Sequence, residues 1–256
     1  LHRKAQGLQN RNAPIPGTTN ILFRRPAPEY GFQQIVVNGY GGNYNGLGLR
    51  YTYRRPSGLS LNLSYTWSKA LDTSSAIRGT SADIVPQDNR CLKCEYGYSA
   101  YNTPHRFVAS PLIPLPFGRG QRWLNRGGVV DQIAGGWQIS TILTIQSGRP
   151  INTAAGWDAP GTGSFGDPRI NLTGQKPYLP KEQRNTNAWL NVSAFAYVPG
   201  GTFGNAQRNV LIGPGQLTWD FSALKNFRII EGHQLQFRFE AFNFLNHPVW
   251  GNYGAS

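Results

Sequence analysis

Leu59, Leu61, Leu63, Tyr65 and Trp67 stand at every second position of LSLNLSYTWSK (59–69), with Ser60, Asn62, Ser64, Thr66 and Ser68 around them. A period of two is that of a strand with one apolar and one polar face. The alternation returns in GLGLRYTYR (46–54), WQISTILTIQS (137–147), LTWDFSALKNF (217–227) and LQFRFEAF (235–242) and, blurred by prolines, in HRFVASPLIPLPF (105–117). These runs predict about six strands of roughly 9–11 residues, the length a tilted strand needs to cross a bilayer. No segment keeps a 3.6-residue apolar stripe for three turns, so long helices are not expected.

The connections carry a second regularity. RPSG (55–58) and RIIEGH (228–233) are tight, GRGQRWLNRGGVVDQIAGG (118–136) is moderate, and 69–104 and 149–216 are long. Short inner turns alternating with large outer loops is the rhythm of a transmembrane barrel. The predicted organisation is therefore an extended lead-in over 1–43, hairpins over 44–68, 105–148 and 217–247, two long outer loops between them, and a tail over 248–256. Trp67, Trp137 and Trp219 fall near strand ends on the apolar face, where an interfacial girdle would sit. The fold class this predicts is all-β, an antiparallel meander forming a segment of a transmembrane-type β-barrel, with the Leu–Tyr–Trp face toward lipid. The smallest single-chain barrels use about eight strands, so six are expected to need partners from a longer chain or from other copies. A fibre built by strand pairing between copies and a secreted glycan-binding β-sandwich are the rival architectures.

Composition agrees with strands and turns. Of 256 residues, 31 are Gly and 18 Pro, the aromatics make up 12% and charged residues only 14%. Mean hydropathy is −0.42 and no apolar run approaches the roughly 18 residues of a helical span, which excludes a helical membrane protein and leaves a barrel open. Lys and Arg number 25 against 12 Asp and Glu, a net charge of +13 that attracts anionic partners. Lipopolysaccharide and an anionic ligand or glycan fit that field. The cations follow no periodic face and accompany no recognition helix or zinc finger, so nucleic acid is not expected.

Candidate chemistry is sparse. Cys91 and Cys94 of CLKC lack the second pair a zinc site needs, and a local disulfide is the expected fate in an oxidising compartment. GTGSFG (161–166) spells a dinucleotide pattern but opens no helix, and Asp158 and Asp167 share a loop without a glycosidase context. No catalysis, metal or cofactor is expected. Asp220, Arg238 and Glu240 fall on the polar face of the last two strands, which is the lumen of a barrel or the solvated face of a sheet. The long loop carries Trp157, Phe165, Tyr178, Trp189, Phe195, Tyr197 and Phe203: Trp157, Tyr178 and Trp189 are candidate ligand-contact rings, and the alternative is that the rings pack the loop on itself as a compact cap.

SYTWSKALD (64–72), HRFVASPLIPLPFGRGQRWLN (105–125), GGWQISTILTIQSGRPIN (135–152), GTFGNAQRNVLIGPGQLTWDFSALKNFRI (201–229) and LQFRFEAFNFLNHPVWGN (235–252) resemble, in that order, the C-terminal barrel region of Oar-like TonB-dependent outer-membrane receptors. The resemblance implies an outer-membrane barrel of about 22 strands with a plug and an N-terminal carboxypeptidase-regulatory-like domain. Those parts have no counterpart in these residues, so energy-coupled uptake is not expected of this stretch alone. It implies binding or admission of a bulky ligand at the cell surface.

Overall fold

Alternating sequences of this kind form strands because each side chain then finds same-face neighbours on the adjoining strand. The computed structural model describes residues 2–75, 85–163, 168–185, 188–230 and 233–249. Its main sheet is an antiparallel meander of β1 (His2–Asn10), β2 (Gln34–Arg54), β3 (Ser60–Asp72), β4 (His105–Pro114), β5 (Trp137–Gln146), β6 (Gln216–Ile230) and β7 (His233–Ala241). Each strand pairs with the next in the chain, and Gly97–Tyr98 adds a short rung to β3. Asp167, Phe165 and the end of GTGSFG lie outside the described residues, as does most of the tail.

Residues 1–43 are not simply a lead-in. His2–Asn10 pairs with the first part of β2, whose strand begins at Gln34 rather than near residue 46. Period-two reading misses this hairpin because HRKAQGLQN has no apolar alternation. Its stability comes instead from backbone pairing and from one buried ring. Tyr40 is 3% exposed, and a Cβ at Gly7 would lie 2.4 Å from that ring, so the glycine makes room for it. The Tyr40 hydroxyl donates to the Leu8 carbonyl at 2.7 Å.

The register unites the apolar positions on one face. Leu49, Tyr65, Phe107, Ile145 and Leu217 form one cross-strand row, and Tyr51, Leu63, Ala109, Leu143 and Trp219 the next. The row Arg50, Ser64, Val108, Thr144 and Thr218 runs across the opposite face. Among the described residues no second sheet covers the apolar face: Leu47, Leu49 and Tyr51 are each more than half exposed, as are Leu235, Phe237 and Phe239. A sandwich would seal such a face against a partner sheet.

The buried apolar side chains lie elsewhere. Tyr40, Val85, Ala159, Ala194, Val198, Ala206 and Leu211 all belong to the long connections or to the β1–β2 extension. Connection 11–33 and the described parts of 73–104 and 147–215 gather at one end of the sheet, while 55–59, 115–136 and the Ile230–His233 pair lie at the other. We call these ends outer and inner.

Candidate functional site: the outer cap and the two faces of the wall

Three outer connections are knitted into one cap by buried polar groups. Arg169, on the long loop, meets Glu95 in a fork: Nη1 lies 2.6 Å from one carboxylate oxygen and Nη2 3.2 Å from the other. Both side chains are almost fully buried, at 6% and 3% exposure. Arg169 Nε donates to the Ala206 carbonyl, and the Gln87 amide donates to Glu95. Arg208 extends the network: its Nε donates to the Glu95 carbonyl at 2.9 Å, its Nη1 to Ser75 Oγ at 3.2 Å, and its Nη2 to the Asp72 carboxylate and carbonyl. Two buried guanidinium groups are tolerable here because carboxylates and carbonyls take up their N–H groups in a fixed fork geometry.

The segment containing CLKC is the hub. The sulfur atoms of Cys91 and Cys94 are bonded, and the turn Leu92–Glu95 aims Glu95 at both arginines. From the same segment Asn89 Oδ1 accepts from the Asn10 amide at 2.8 Å, and Arg90 Nη2 donates to the Pro14 carbonyl at 2.8 Å. Arg24, the last residue of the short helix α1 (Ile21–Arg24) in the connection after β1, reaches the Gly161 carbonyl at 2.7 Å. Burial holds the Tyr40 hydroxyl above the ordinary tyrosine range, and the nearby Glu95 charge adds to that shift.

The loop aromatics divide into two groups. Trp157 stacks on Tyr197 with centroids 5.5 Å apart and planes 10° from parallel, and Tyr197 is 72% exposed. This pair presents a flat apolar surface outward. Tyr178 and Trp189 instead grip Arg184, whose guanidinium lies 5.4 Å and 5.2 Å from their centroids. Tyr178 Oη also accepts from the Ile212 amide at 2.6 Å. Burial raises the Tyr178 pKa, while that amide and the Arg184 charge oppose the rise. These two rings pack the loop on itself, and Tyr197 is the exposed partner that reading the sequence did not single out. Only its closeness in the fold to Trp157 marks it.

On the polar face, Arg238 and Glu240 form an exposed ion pair at 3.5 Å on β7. Asp220 on β6 is engaged with the Asn243 amide at 2.9 Å. Arg50 and Arg106 lie on the same face of β2 and β4 by register. Among the described residues there is no cluster of three or more metal-ligating side chains.

Among the described residues β2 to β7 form an antiparallel wall, apolar and uncovered on one face and polar on the other, with short inner turns and an ordered outer cap to which β1 adds by pairing with the outer extension of β2, the form of a transmembrane β-barrel wall. The chain belongs to the outer membrane beta barrel domain family, whose profile it matches over residues 1–256. No curated protein and no solved structure matches it. The protein is therefore a component of the outer membrane. In barrels of that kind the apolar face turns to lipid and the polar face to the lumen.

Proposed function

We propose that this barrel is a non-catalytic receptor or translocation wall of the TonB-dependent, Oar-like kind, binding or admitting a bulky ligand at the cell surface. The observation that carries this reading is the distribution of burial: the ordered core sits in the outer loops, so the molecule holds a defined surface above the membrane. A barrel serving only as an anchor has no need of buried ion pairs such as Arg169–Glu95 in its loops. Ligand contact is assigned to the Trp157–Tyr197 stack, with aromatic faces suited to sugar or peptide rings, and passage to the lumenal charges Arg50, Arg106, Asp220, Arg238 and Glu240.

Conductance of the complete receptor in planar bilayers tests this. The native protein should be closed or nearly so, and the pair Arg169→Met with Arg208→Met, which releases the cap, should raise conductance or open probability. A cap-released protein as silent as the native one would remove the lumenal route from the reading. A native protein that conducts freely would overturn closure of the lumen by the cap.

A further inference from the structure

The inner connection 115–136 is more than a turn. It contains the second short helix, α2 (Val129–Ala134), which follows α1 (Ile21–Arg24), and its largest apolar side chains are left in the open: Trp123 is 50% exposed, Leu124 52%, Val129 68% and Ile133 68%. The backbone of this segment is nonetheless well fastened. Gly118 N donates to the Trp123 carbonyl, Gly120 N to Asn125 Oδ1 at 2.7 Å and Arg119 N to Asp131 Oδ1 at 2.7 Å, while the Phe117 and Trp123 rings meet at 5.5 Å. An ordered segment that holds its apolar side chains outward is built to cover them with something outside itself.

Where α2 sits decides what that something is. Lys225 and Trp137 face each other across β6 and β5 and, by register, both belong to the lipid-facing side. Lys225 Nζ donates to the Ile133 carbonyl at 3.1 Å and to the Gly135 carbonyl, and Trp137 Nε1 donates to the Ile133 carbonyl at 2.9 Å. The Lys225 ammonium also lies 5.3 Å from the Trp137 ring centroid and 4.9 Å from that of Phe227. The end of α2 is thus clamped to the outward side of the wall at its inner rim, continuous with the apolar band. Val129, Val130 and Ile133 are spaced to share one side of the helix. The same segment carries the exposed Arg119, Arg122 and Arg126, opposed within it by Asp131 alone.

We propose that residues 118–136 form an interfacial anchor that lies in the inner leaflet, Trp123, Val129 and Ile133 dipping into the acyl boundary and the three arginines binding anionic phospholipid headgroups. The chemistry is that of an amphipathic surface helix, in which apolar burial and attraction to anionic lipid act together. Arg122 already lies 5.6 Å from the Trp123 ring, the pairing of guanidinium and indole expected at a membrane interface. This site depends on the barrel lying in the membrane and not on the receptor role.

The test uses the complete protein reconstituted in vesicles of phosphatidylethanolamine and phosphatidylglycerol in equal amounts, with a small fluorophore on Ile133→Cys. A spin-labelled lipid carrying its quencher just below the headgroups should remove most of the emission, and aqueous iodide should remove little. Replacing phosphatidylglycerol with phosphatidylcholine, or introducing Arg119→Gln, Arg122→Gln and Arg126→Gln together, should shift the label toward iodide. Free access of iodide in both vesicle types would overturn the proposal, and so would shielding from both quenchers, which would mean a protein partner covers the helix. Unchanged lipid quenching in the arginine variant would overturn the headgroup assignment. A second label on Val129→Cys must agree with the first, which guards against local unfolding at one position.

Discussion

The wall and the cap of this protein solve opposite problems with the same chain. In the wall, strands present Leu49, Leu63 and Leu143 to the exterior and depend on a surrounding apolar medium for their burial. In the cap, water surrounds the loops, and Arg169, Arg208 and Glu95 are taken out of it by bonding to one another. The wall should be insensitive to most single polar contacts and sensitive to charge on one face. The cap should behave in the reverse way.

The largest separation of the two is expected from Arg208→Met. Removing one member of a buried ion network leaves its partners uncompensated, at a cost of about 3–5 kcal/mol. The loss should fall on the cap: proteolytic nicking and amide exchange within 149–216 should rise, while the heat-dependent gel shift typical of a folded barrel stays. Loss of that gel shift at the same time would mean that wall and cap are one cooperative unit.

Leu63→Arg should follow, costing about 2–4 kcal/mol in denaturant unfolding from vesicles if the residue lies near mid-bilayer, because it places a cation on the lipid face. Ser64→Arg, one position along and on the lumenal face, should be close to neutral. Equal effects of the two would contradict the assignment of faces. Gly7→Ala should cost about 1–3 kcal/mol, since its Cβ would meet the Tyr40 ring and force it from its seat. Faster exchange confined to His2–Asn10 and the facing part of β2 is the readout.

Trp157→Ala should cost about 0.5–1.5 kcal/mol of loop stability through loss of its stack on Tyr197. It should leave the wall untouched. At neutral pH, Tyr40→Phe should change least, losing one hydrogen bond to the Leu8 carbonyl. Its effect appears on alkaline titration. The folded protein holds the Tyr40 pKa above the ordinary 10.0, so the unfolded chain gives up this proton first. Stability contributed by the protonated phenol is therefore complete below about pH 10 and is lost as pH rises further toward the folded value. Cap exchange rates measured against pH should show that loss in the native protein and a flatter profile in Tyr40→Phe.

How much of this could be read from the sequence also divides between the two regions. All six apolar-alternating runs became strands, because in a wall the pattern is the force that places each side chain. β1 escaped because HRKAQGLQN is held by backbone pairing and by Gly7 beneath Tyr40, neither of which leaves a periodic trace. Asp220, Arg238 and Glu240 could be placed on a common face from parity alone. Arg169, Arg208 and Glu95 could not be found, since nothing local in 95, 169 or 208 tells which loop each will meet. Tyr197 could be counted among the rings of the loop, but nothing marked it as the partner of Trp157, and Arg184 gave no hint that it would occupy Tyr178 and Trp189.

The span of the Arg208–Asp72 contact also bears on how the molecule assembles. The two residues are 136 positions apart, with connection 73–104, β4, β5 and most of the long loop between them. They can meet only once the intervening strands stand side by side at the correct offset, because a slip of β3 by one residue would carry Asp72 to the other face of the sheet. Closure of the lid is accordingly a late event that reports on everything beneath it, and a misaligned staircase of strands would be left with its roof unlatched.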